Sequence, residues 1–95
     1  MTVSIEEFND YVTALERHDW QFEYSDDHRV WQSGMNAEKT LQAKILQAPE
    51  YNQAYRLYHD YYYSRDMSRE ELIAGINQIR QDIQNQTSGE AHADA

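Results

Sequence analysis

Two histidines and three aspartates, all able to ligate a metal or carry a proton, crowd into residues 18–28: His18, Asp19, Asp26, Asp27 and His28. Imidazole and carboxylate are the groups that bind zinc and the harder divalent ions, and they also serve as general acids and bases. Neighbouring residues point about 100° apart on a helix, so Asp26 and Asp27 do not face one ion together. Each residue also has a local role. Paired aspartates favour a helix start, and His18 falls near a helix end, where a cation is favoured. The expectation is a structural stretch, with no metal site, no catalytic residue and no cofactor.

A second set of chemistry-bearing residues lies on one segment, PEYNQAYRLYHDYYYS. Tyr55, Arg56, His59, Tyr62 and Arg65 bring stacking rings and positive charge together, which suits a nucleotide or another small ligand. The same rings also serve ordinary packing, because the chain has eight tyrosines and few leucines. Aromatic side chains must then supply much of the core. No cysteine, Gly-rich phosphate loop or GxSxG elbow occurs, so an enzyme is not expected.

Charge narrows the partners. The chain of 95 residues holds 17 acidic and 8 basic side chains, for a net charge of -9. Affinity for a phosphate backbone rests on Lys and Arg, so direct nucleic-acid binding is not expected. The imbalance is concentrated: residues 1–38 hold nine acidic and two basic side chains. Glu6, Glu7, Asp10, Glu16, Asp26 and Asp27 form a candidate acidic face for a basic partner protein. The N-terminus lacks the basic and apolar regions of a signal peptide, and no apolar run is long enough to span a membrane. The expected setting is cytoplasmic.

Positioning these residues falls to helices. Ser4-Ile5-Glu6-Glu7 is a capping box, and Ile5, Phe8, Val12 and Leu15 follow at helical spacing to about Arg17. Trp20, Phe22 and Tyr24 alternate with polar residues, which predicts an extended aromatic connector over 19–24. Ser25 is the expected cap of a short helix through Trp31 that stops at Gly34. Asn36 then caps a helix bearing Leu41, Ile45 and Leu46, and Pro49 opens the tyrosine-rich helix. Ser68 begins a second capping box, ahead of Leu72, Ile76, Ile79 and Ile83. That stripe serves core packing or a homodimer seam equally well. Residues 86–95 have no apolar periodicity and are expected to be a disordered tail. The fold class is all-α: one domain over 1–85, four main helices and a short one.

Two resemblances complete the sequence evidence. The order His28, His59-Asp60, Asp82 is similar to the H…HD…D order of HD-type metal-dependent phosphohydrolases, although its last interval is short. The run His18-Asp19-Trp20, Tyr24-Ser25-Asp26-Asp27, Val30-Trp31 and Gly34 resembles small proteins of bacteriophages and other mobile elements. That likeness covers about residues 11–63 and implies no activity. It implies a setting in which a short acidic product binds and modulates a host protein. Such partners include nucleic-acid-handling proteins blocked by mimicry of DNA charge, as with anti-restriction and anti-CRISPR inhibitors.

Overall fold

The computed structural model describes residues 3–64 and 66–93, with side chains as far as residue 86. Four α-helices follow one another: α1 (Ile5–Arg17), α2 (His28–Ile45), α3 (Pro49–Tyr63) and α4 (Arg69–Ala93). A 3₁₀ turn, Phe22–Tyr24, lies between the first two. The protein is all-α, as its periodicity predicts. Helix α3 packs against each of the other three, and among the described residues α2 and α4 do not meet. No helix among the described residues is long and apolar enough to cross a membrane.

Helix α1 starts where Ser4 Oγ accepts a hydrogen bond from the Glu7 N–H at 3.1 Å. Phe8, Tyr11, Val12 and Leu15 form its buried stripe. It ends because His18 adopts an extended conformation, and the chain doubles back. Trp20 Nε1 then donates to the Leu15 carbonyl at 3.0 Å, satisfying an acceptor that the last helical turn leaves open. The Asp19 carboxylate accepts from the Gln21 N–H at 3.0 Å and closes the turn. The expected extended connector is therefore a turn. Trp20 and Phe22 are buried while Tyr24 is 78% exposed, so their alternation does not mark a strand.

Helix α2 departs furthest from expectation. Its cap is Asp27, whose carboxylate accepts from the Arg29 N–H at 2.9 Å; Ser25 instead accepts from the Asp27 N–H at 3.1 Å. The helix runs unbroken through both Gly34 and Asn36, merging the short helix with its successor. Gly34 is a packing residue here. A Cβ at that position would lie 2.2 Å from Phe22 Cγ, so only glycine lets α2 close over the buried ring. Leu46, expected to be apolar lining, caps the helix and is 87% exposed.

Pro49 occupies the first turn of α3, and Tyr51, Ala54 and Tyr58 are buried along it. Ser68 Oγ accepts from the Glu71 N–H at 3.1 Å to start α4. Leu72, Ile76, Ile79 and Ile83 form its buried stripe. Their side chains join those of α1 and α3 in one core with Trp20, Leu41 and Tyr51. Helix α4 extends to Ala93, past Gln86 where the tail was expected, and residues 94 and 95 lie outside the described residues.

Candidate functional site

The clustered residues at 18–28 separate in space according to local need. His18 goes inward: its side chain is 2% exposed, with Nε2 2.7 Å from Glu38 Oε2. That contact is a close polar approach that lacks the alignment of a hydrogen bond. The Trp20 and Phe22 rings enclose the imidazole, with centroids 4.9 and 5.7 Å away. His28 lies outside, stacked on Trp31 at 6.2 Å. Asp19 and Asp27 are engaged as turn and cap acceptors, and Asp26 is exposed. Among the described residues, no three His, Asp or Glu side chains gather where they could hold a metal ion. His59 lies 3.9 Å from Asp60 and packs its ring against Tyr63 at 4.6 Å, and Asp82 accepts from Gln78 on its own helix.

Glu38, which no sequence motif singles out, joins α2 to α3. The Tyr55 hydroxyl donates to its Oε1, and the Gln42 amide donates to the same oxygen at 3.3 Å. Burial raises the Tyr55 phenol to about 12, with the neighbouring Glu38 carboxylate acting in the same direction. The phenol therefore stays a neutral donor near neutral pH. The signal was present but weak: Glu38 lies three residues before Leu41 and seven before Ile45, on the inward face of α2.

The Tyr/Arg set does not form an open platform. Trp20 stacks on Tyr62 at 5.5 Å with planes 16° apart, and it packs against Tyr55 at 5.6 Å. Its carbonyl accepts from the Tyr63 hydroxyl at 2.6 Å. These rings clamp the turn onto α3, while Arg56 and His59 are exposed and Arg65 lies outside the described residues.

The acidic face is also divided. Glu16 pairs with Arg69 across the α1–α4 seam. The guanidinium holds the Glu16 carboxyl below the usual range, with the Tyr58 hydroxyl assisting. Glu6, Glu7 and Asp10 stay exposed on α1, away from Asp26 and Asp27. Glu7 and Asp10 border a groove of about 220 Å³ between α1 and α2. Tyr11, Ala14 and Leu41 also line it, and Lys44 stands at its margin. The Tyr11 hydroxyl donates to the Leu41 carbonyl at 2.8 Å and ties the two helices together there. Lys44 is drawn over the Tyr51 ring, 5.3 Å from its centroid.

Comparison with protein-family models, curated proteins and solved structures returns no match to this chain. The site defines a class by its chemistry alone: a helical protein that presents carboxylates beside apolar surface and has most of its aromatic groups committed to packing.

Proposed function

We propose that this chain is a non-catalytic acidic helical module that docks a basic segment of a partner protein along α1. One observation carries the reading: Glu7 and Asp10 stand beside an apolar groove between α1 and α2. An Arg or Lys side chain has the matching form, an apolar stem under a cationic head. Its stem would lie on Tyr11, Ala14 and Leu41, and its head would meet the two carboxylates. Glu6 extends the negative surface, and the net charge of -9 steers a cationic partner toward it. Host proteins that handle nucleic acid carry basic surfaces of this kind, and modulation of such a protein agrees with the mobile-element resemblance.

Affinity capture with mass spectrometry tests the proposal, comparing the native chain with a Glu7→Lys/Asp10→Lys variant. The native chain should retain a basic partner whose recovery falls as salt rises, and charge reversal should abolish retention. Retention that survives charge reversal, or no retained partner at all, rejects the reading.

A further inference from the structure

A different surface has the opposite charge. Arg17 in the last turn of α1 and Arg29 in the first turn of α2 line one cleft of about 370 Å³. Among the described residues, neither guanidinium has a hydrogen-bond or ion-pair partner. Elsewhere Arg69 is paired with Glu16, Arg80 donates to Asn9 and Asn77, and Lys44 lies over Tyr51. Lys39 and Arg56 are exposed and do not line this cleft.

Helix electrostatics account for only one of the two arginines. Arg17 sits at the negative end of α1, where a cation is stabilised. Arg29 sits at the positive end of α2, where a cation is disfavoured, and it shares the cleft with a like charge. Asp19 is the acidic residue lining the cleft, and one of its oxygens is taken by the Gln21 N–H. Two guanidinium groups against one carboxylate leave the cleft net positive, and a bound anion would relieve that charge.

The rest of the cleft suits an anion that carries an organic body. Arg29, Ser33 and Ala37 recur every four residues along one strip of α2, with Val30 and Gly34 beside them. The Ser33 hydroxyl is a further donor without a partner among the described residues. Ala37 keeps the floor low, and Val30 is 38% exposed as an apolar wall. Two guanidinium forks and a hydroxyl match the three terminal oxygens of a phosphate monoester, whereas a carboxylate has only two oxygens. The volume falls in the range of about 300–1,000 Å³ typical of small-molecule sites.

We propose that this cleft binds a small organic phosphate, with the phosphate held between Arg17 and Arg29 near Ser33 and the organic body over Val30 and Ala37. The site is independent of the carboxylate groove used for the partner protein. Amide chemical shifts on the whole chain test it, with inorganic phosphate, adenosine monophosphate and citrate titrated at matched ionic strength. Adenosine monophosphate should shift residues 17–19 and 29–37 saturably and bind at least about tenfold tighter than inorganic phosphate. Arg17→Gln/Arg29→Gln should weaken it by at least about tenfold, since charge-assisted bonds are lost. Ala37→Leu should exclude the nucleotide and leave inorganic phosphate bound, and Lys39→Gln should change neither. The proposal is overturned by no saturable shift with either phosphate, by citrate binding as tightly as the nucleotide, or by binding indifferent to the arginines. Equal affinity for inorganic phosphate and nucleotide overturns the part assigned to the organic body.

Discussion

Gly34 and Glu38 show how much one residue decides in this fold. At Gly34 the helix accepts a propensity penalty of roughly 1 kcal/mol relative to alanine so that α2 can close over Phe22. Gly34→Ala therefore reverses the usual gain from replacing a helical glycine. The buried ring has no room to retreat, and destabilisation of about 1–3 kcal/mol should appear in urea unfolding. An unchanged or raised midpoint would show that the ring moves freely. Glu38 is coupled to His18 and Tyr55, and removing one member of a buried pair leaves the other uncompensated. Glu38→Leu alone should destabilise by about 1–3 kcal/mol, because the part-buried Tyr55 hydroxyl loses its acceptor and the buried imidazole loses its polar neighbour. Adding His18→Leu should then cost much less than the two single effects combined, by roughly 0.5–3 kcal/mol. Strict additivity in that cycle would mean the pair contributes no coupling.

At the scale of elements, the capping boxes and apolar stripes of α1 and α4 were legible, because Ser4, Ser68 and the isoleucine spacing act within their own helices. The turn and the start of α2 were not, because their geometry is set by partners distant in sequence. Trp20, Phe22 and Tyr24 carry a strand pattern, yet Trp20 reaches back to the Leu15 carbonyl and onto Tyr62 of α3. Gly34 carries a stop signal, yet Phe22 requires it inside a helix. The candidate site was legible in part for the same reason. The exposed carboxylates of α1 could be read from spacing, while the loss of Glu16 to Arg69 depends on α4. The difference between turn and strand has a direct test. A strand would make Trp20 and Tyr24 equivalent, but in the turn only Trp20 is buried. Trp20→Ala should cost about 3–5 kcal/mol and Tyr24→Ala less than about 0.5 kcal/mol in thermal or urea unfolding. Similar losses at both positions would restore the extended connector.

For the molecule as a whole, building a core from phenols ties its stability to alkaline pH. Burial is the first cause raising the hydroxyls of Tyr11, Tyr51, Tyr55, Tyr58, Tyr62 and Tyr63, and nearby carboxylates add to it for all six. Tyr55 and Tyr58 are each pushed up from 10.0 to about 12. A folded pKa above the unfolded one means that the neutral form is favoured by folding. The phenols thus contribute their full stability below pH 10.0, and that contribution is lost as pH rises toward about 12. A net charge of -9 works in the same direction, since every tyrosinate formed adds to existing repulsion. The acid side behaves differently. Glu16, held low by Arg69, stabilises the fold above the usual carboxylate range and loses that effect as pH falls through its depressed value. The pair is largely solvent-exposed, so this acid-side contribution is within about 1 kcal/mol. Tyrosinate absorbance and helical circular dichroism followed through one alkaline titration should therefore show the buried phenols ionising above pH 10.0, together with loss of the helical signal. A single ionisation near pH 10.0 that leaves the helical signal unchanged would show that the rings are not held by the core.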